Sequence, residues 1–229
     1  MTSTGREVEQ GRKLALRVKK ELTLVADESI QQRVRAIGER LAAVCDRREI
    51  VYQFAVVEDE DVNAFSLPGG YVFVNDGLIK KTKNDDELAA VIAHEIAHIT
   101  ARHAVKRLES GLGLQLAQLA TLATKQSALI SGSSLGIQAA RLAYAREDEL
   151  EADRLGAKYL KAAGFDPKAM LAFLETLHDV QGKESHYLPR GMARPQYALT
   201  HPYVPERTRA VKEALFGSAD YIDYLNSTP

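Results

Sequence analysis

The chain predicts an α+β fold, mostly helical, with a small sheet of three to four strands packed on one helix. Three observations predict it. Helical periodicity runs through the first 45 residues and through most of the second half. Short runs rich in β-branched and aromatic residues fall between residues 50 and 75. The order is helices, a small sheet, then many helices, which suggests α+β, and no internal repeat is visible.

Glu7–Lys20 and Glu28–Cys45 read as amphipathic helices. In the second, Ile30, Val34, Ile37 and Leu41 recur at three- and four-residue steps. Ile50–Val57 reads as a strand, and Asn63–Leu67 as a second short extended segment. Pro68-Gly69-Gly70 signals a turn, and Tyr71–Asn75 is a third strand. Asn84 suits an N-cap, with Glu87 three residues on completing a capping-box pattern. The helix it opens carries Leu88, Val91, Ile92 and Ile96 as a buried stripe and is expected to run on to Leu108. Gly111–Lys125 and Leu135–Ala163 continue as helices around Ser131-Gly132-Ser133-Ser134. Gly164-Phe165-Asp166-Pro167 stops one helix, and Pro167 opens the next, to about Val180. Gln181–Thr200 is irregular, and Pro205–Phe216 is a final helix.

Composition narrows the function. No Pro/Gly/Ser-rich linker divides the 229 residues, so a single domain, 1–229, is expected, with N-terminal helices over 1–48 and a core over 49–229. Thirty Lys and Arg against 31 Asp and Glu point away from nucleic acid. The lone Cys45 forbids an internal disulfide and reads as a small buried apolar residue. The first residues lack a basic region followed by an apolar one, so the chain reads as cytoplasmic or as a mature form. The apolar part of Gly111–Thr124 is well under the ~20 residues a membrane span needs, and no transmembrane segment is expected.

His94-Glu95-Ile96-Ala97-His98 carries the chemistry. Histidines four apart on a helix share a face and can hold one zinc ion, with the adjacent glutamate free to move protons. A catalytic zinc takes three protein ligands and leaves a fourth position open. The metzincin pattern would put a third histidine at position 104 and a glycine at 101; both are alanine here. On a continuous helix His103 points about opposite to His94, which makes it a surface or packing residue. The better third ligand is a carboxylate on another helix. Glu149 and Asp153 are four apart on one face, giving one carboxylate for the metal and one to orient a ligand imidazole. Acidic runs of this kind are ordinarily solvated faces; the histidine pair reverses that reading.

At these residues the chain resembles the HtpX-like zinc metallopeptidases, the gluzincin family that also holds the CaaX prenyl endopeptidases. The resemblance rests on four segments in the family's order: Asn63–Val74, His94–His98, Glu149–Asp153, and Thr200-His201-Pro202 followed by Glu206-Arg207. It implies a zincin-like core with one Zn2+ per chain, held by His94, His98 and Glu149, with Asp153 behind them. Glu95 would be the general base. The resemblance nominates His201 and Arg207 as oxyanion-stabilising catalytic residues. It also places an edge-strand substrate site at Leu67, Pro68, Gly69, Gly70, Tyr71 and Val72.

The implied activity is endopeptidase cleavage of extended or unfolded polypeptides. The soluble members of this look act in envelope protein assembly and quality control, which implies a periplasmic or cell-envelope setting and envelope assembly partners. A second expectation is a latent binding or chaperone-like module, with His201 as a fourth zinc ligand until the loop within Gln181–Val204 moves.

Overall fold

The computed structural model describes residues 2–109, 144–176, 201–202 and 204–227. The elements are α1 (Thr4–Glu21), α2 (Glu28–Ala42), β1 (Gln53–Val57), β2 (Ala64–Leu67), β3 (Tyr71–Asn75), α3 (Asp76–Ile79), α4 (Asp85–Thr100), α5 (His103–Glu109), α6 (Arg146–Ala162) and α7 (Val204–Ser227). Residues 169–176 are also helical. The fold is α+β, as the sequence predicts. The short α3 was not expected, and α7 runs past Phe216. The expected helix over Gly111–Lys125, the break at Ser131–Ser134 and the irregular Gln181–Thr200 lie outside the described residues. Among those described, no helix is long and apolar enough to cross a membrane.

The fold is assembled on α4. Asn84 Oδ1 accepts the Glu87 amide at 2.9 Å, and the Glu87 carboxylate accepts the Lys83 amide at 2.9 Å. The reciprocal pair satisfies amides that a helix N-terminus leaves orphaned. Every residue from Glu87 to Ile99 is buried. A helix apolar on all sides belongs in a core rather than on a surface. α6, α2 and strands β2 and β3 all pack against it. α6 comes closest at Gly156, where an added Cβ would stand 3.3 Å from the His94 amide nitrogen and 2.8 Å from Met170 Cε. That approach brings the acidic turns of α6 against the histidine face of α4.

α4 does not continue to Leu108. Ala101 caps it, Arg102 takes a left-handed conformation at φ 59°, and α5 starts afresh at His103. A left-handed non-glycine residue costs about 1–2 kcal/mol. Here the Arg102 guanidinium donates to Glu7 Oε2 at 2.9 Å. Glu7 is buried and also takes Arg47 in a two-pronged pair at 2.7 and 2.9 Å, and Arg47 donates to the Ile99 carbonyl in the last turn of α4. The bend is held by a buried ion cluster between α1 and α4, which the sequence pattern alone does not announce.

The sheet order is β1-β3-β2, with β1 parallel and β2 antiparallel to β3. Tyr71 and Val72 therefore sit on the central strand, hydrogen-bonded on both sides. The expectation that they form an edge fails because β1 closes the flank that the hairpin leaves open. The turn Pro68-Gly69-Gly70 is also occupied. A Cβ on Gly11 of α1 would stand 1.7 Å from the Pro68 carbonyl oxygen, and the Gly69 amide donates to Glu7. The close backbone approach expected there for a substrate is made instead by α1.

The outer edge of β1 is closed too. Gln31 of α2 accepts the Val56 amide and donates to the Val56 carbonyl, each at 2.9 Å, and residues 23–25 bridge alongside. A side-chain amide thus completes the ladder as a neighbouring strand would. That leaves β2, which pairs only with β3 among the described residues, as the sheet edge beside α4.

Candidate metal centre

His94 and His98 lie one turn apart on α4, Glu149 sits in the first turn of α6, and His201 arrives just before α7. All four are buried. Their donor atoms lie within 4.8 Å of one another, and no other such cluster occurs among the described residues. The separations are even. His94 Nε2 is 3.0 Å from His98 Nε2, 3.3 Å from His201 Nδ1 and 3.5 Å from Glu149 Oε2. His98 Nε2 is 3.6 Å and His201 Nδ1 3.1 Å from Glu149 Oε1. Donors at about 2.0–2.1 Å around a tetrahedral zinc stand roughly 3.3–3.4 Å apart, so the set fits that ion in both size and donor type.

Glu95 follows His94 on the helix and does not join the cluster. It is fully buried, and neither of its carboxylate oxygens accepts a hydrogen bond from the described residues. His201 Nε2 lies 3.3 Å from Glu95 Oε1, so one imidazole touches both the donor cluster and the glutamate. A buried carboxylate short of donors is costly unless chemistry uses it.

The surroundings fix the ligands' orientation. His94 Nδ1 donates to Asp153 Oδ1 at 2.8 Å. The Arg207 guanidinium grips Asp153 with two bonds, at 2.7 and 2.8 Å, and reaches Glu149 Oε2 at 2.8 Å and the His201 carbonyl at 3.4 Å. Burial raises the Asp153 pKa, but the charge and hydrogen bonds of Arg207 and His94 outweigh it and hold the group below the usual carboxylate range. Glu149 is treated likewise: burial raises it, and Arg207 and His201 bring it well down. Burial and Arg207 pull His94 down, yet Asp153 and Glu149 prevail and lift it to about 9. Burial and then the His94 charge drive His98 well below its ordinary value.

The sequence-predicted residues therefore divide. His94, Glu95, His98, Glu149, Asp153, His201 and Arg207 are brought together. The Arg207 guanidinium, expected to stabilise an oxyanion, is engaged with Asp153, Glu149 and the His201 carbonyl. Of the expected substrate residues, only Leu67 lies on the sheet edge. It lines a cleft beside His98 with Ser66 and Pro68.

Two residues were misread or missed. His103 is buried, and its Nδ1 stands 2.9 Å from His98 Nδ1, because the bend at Arg102 swings it under the histidine face. Tyr144 stacks on the His98 ring at 3.9 Å between centroids and hydrogen-bonds the Ser66 side chain; burial pushes its phenol up to about 12. No periodicity marks a single tyrosine ahead of a helix, whereas His103 is legible only once the bend is known.

A histidine pair on one helix, a glutamate between them and a carboxylate from a second helix define a metallopeptidase of the H-E-x-x-H class. The sequence matches Peptidase family M48 over residues 28–215, and the chain belongs to that family. It is 33% identical over 218 residues to a β-barrel assembly-enhancing protease of Yersinia pestis, covering 88% of this chain and 43% of that protein. To the protein of the same name from Escherichia coli (strain K12) it is 30% identical over 214 residues, covering 89% and 42%. To the mitochondrial metalloendopeptidase OMA1 of Schizosaccharomyces pombe it is 32% identical over 183 residues, covering 80% and 52%. The chain spans about half the length of these relatives.

Proposed function

We propose that the chain is a zinc endopeptidase that cuts extended or unfolded polypeptides. The convergence of four donor atoms with Glu95 beside them carries this reading. His94 Nε2, His98 Nε2 and a Glu149 oxygen would hold one Zn2+. A bound zinc supplies a Lewis acid for the scissile carbonyl and lowers the pKa of a bound water toward ~7. Glu95, next to the ligands, would take the proton of the attacking water and pass it to the leaving amine. Asp153 would hold His94 in the tautomer that ligates through Nε2, and Arg207 would hold Asp153 and Glu149.

The polypeptide would add to β2 as a further strand. That reading moves the substrate edge to Ala64–Leu67, since β1 is closed by Gln31. Main-chain pairing carries little sequence information, so broad specificity for extended chains follows. The names of the Yersinia pestis and Escherichia coli relatives support a setting in envelope protein quality control, in the periplasm or cell envelope, beside outer-membrane assembly partners.

The test is digestion of a denatured protein by wild type and by Glu95→Gln, with zinc measured in both. Chelator-sensitive cleavage by wild type is expected, with Glu95→Gln zinc-loaded and at least about 10²-fold slower. An active Glu95→Gln would sink the role.

A second reading, a latent site, is favoured by His201. Its Nδ1 takes the fourth corner and its Nε2 meets Glu95, which together would close the position a substrate needs. Under latency His201→Ala cleaves faster than wild type at unchanged zinc content. Slower cleavage would instead assign His201 to the reaction.

A further inference from the structure

We propose that His103 is a positioning residue for His98, the inner link of a relay that runs from surface carboxylates through two imidazoles to the metal position. This inference rests on the ligand assignment above. His98 Nε2 faces the donor cluster, so its proton must sit on Nδ1. Among the described residues that Nδ1 meets His103 Nδ1, at 2.9 Å, which must then be the acceptor. His103 carries its own proton on Nε2, which points at Glu151 Oε2 at 3.2 Å and Asp148 Oδ1 at 3.4 Å. Carboxylates only accept, so each proton position in the chain is fixed by the next group outward. Lys106, one turn along α5, also acts on the His103 ring.

The geometry removes the alternatives. His103 lies behind His98, on the side away from the donor cluster, and is not a ligand. It is fully buried while Asp148 and Glu151 are 28% and 44% exposed, so the relay spans from the protein surface to the site. The bend at Arg102 exists where His103 needs it: on a continuous helix the ring would face away. The arrangement extends the familiar carboxylate–histidine–metal triad by one imidazole. Tyr144 holds the same His98 ring by its face, and His103 holds it by its edge.

Zinc affinity, measured by competition with a chromophoric chelator, is the readout. His103→Leu fills the site without an acceptor and is expected to bind zinc about 10–100-fold more weakly than wild type. His103→Asn offers an oxygen near the Nδ1 position and is expected to recover most of that loss. The pair separates positioning from packing: equal losses in Leu and Asn, or wild-type affinity in Leu, would overturn the relay. Should His103→Leu fail to fold, long-range nitrogen–proton NMR of the zinc-loaded wild type decides the matter. His98 with its proton on Nδ1 and His103 with its proton on Nε2 are expected; a His103 protonated on Nδ1 would overturn the proposal. His98→Ala keeps the two questions apart. If it retains zinc at wild-type affinity, the ligand assignment falls and the relay with it. If it loses zinc while His103→Leu does not, only the relay falls.

Discussion

The two histidines of α4 are supported in contrasting ways. His94 is held by charge: Asp153 accepts its proton, Arg207 clamps Asp153, and all three side chains are buried. His98 is held by a neutral ring and a stack: His103 behind it, Tyr144 across its face, and charge only at the distant, partly exposed ends, Asp148 and Glu151. Burial explains the difference. An ion pair in the interior must be complete, because a lone buried charge costs several kcal/mol. A chain of imidazoles needs no buried charge, since each ring donates from one nitrogen and accepts at the other. The site thus couples one ligand to a closed ion network and the other to solvent.

The comparison can be broken most forcefully at Arg207. Arg207→Met takes the guanidinium away from two buried carboxylates, Asp153 and Glu149, and should cost about 3–5 kcal/mol in urea unfolding. Arg207→Lys should recover only part of this, because a single ammonium cannot reproduce the two-pronged grip on Asp153. A loss under about 1 kcal/mol in Arg207→Met would mean the charged arm is not what holds the site.

Zinc affinity sharpens the contrast between the far ends of the arms. Asp153→Asn should weaken zinc binding by about 10–100-fold, since it removes the acceptor that orients His94. Glu151→Gln alone should cost much less, because Asp148 remains beside His103 and both face water. Equal losses would make the two arms equivalent.

The arms also titrate in opposite senses in the metal-free protein. His94 is raised to about 9, so its contribution is present below pH 6.5 and is lost as pH rises through about 9. His98 is lowered well below 6.5, so its contribution is present above pH 6.5 and is lost as pH falls. The depressed Glu149 and Asp153 add a further loss in strong acid, below their unfolded values near 4. Metal-free protein should therefore show its highest unfolding temperature near pH 6.5. With zinc bound, His94 cannot take the proton, and the alkaline decline should vanish. A metal-free curve that is flat from pH 6.5 to 9 would contradict the charged arm.

The smallest expected effect is at the bend. Arg102→Gly relieves a left-handed residue by about 1 kcal/mol and forfeits a partly buried pair with Glu7 worth a similar amount. Net stability should move by less than about 1 kcal/mol, with zinc affinity unchanged. A fall in zinc affinity would show that the pair with Glu7, and not the backbone angle, sets the position of His103.

What the sequence made legible follows the same divide. The donor residues could be read because they repeat on single helices: His94 and His98 four apart, Glu149 and Asp153 four apart, each pair on one face. The strands were legible from their β-branched runs, with Tyr71–Asn75 recovered to the residue. The neutral arm was not legible. The helical period carried past Ala101 sends His103 to the wrong side, and the break depends on Glu7, some 95 positions away. The sheet order failed for a related reason. Hairpin signals specify β2 against β3, but the parallel pairing of β1 is a long-range choice with no local mark, and it turned an expected edge into a centre.

Gln31 has a consequence for self-assembly. An open β-polymer needs two adhesive edges on every subunit, one to receive and one to offer. In this three-stranded unit one of them is spent internally, on a glutamine amide bonded to both polar groups of Val56. Strand addition at β2 would therefore be a terminating event: one incoming chain, whether a peptide or the β2 of another copy, would end the growth. A sheet with one edge closed in this way cannot seed a fibre through that edge.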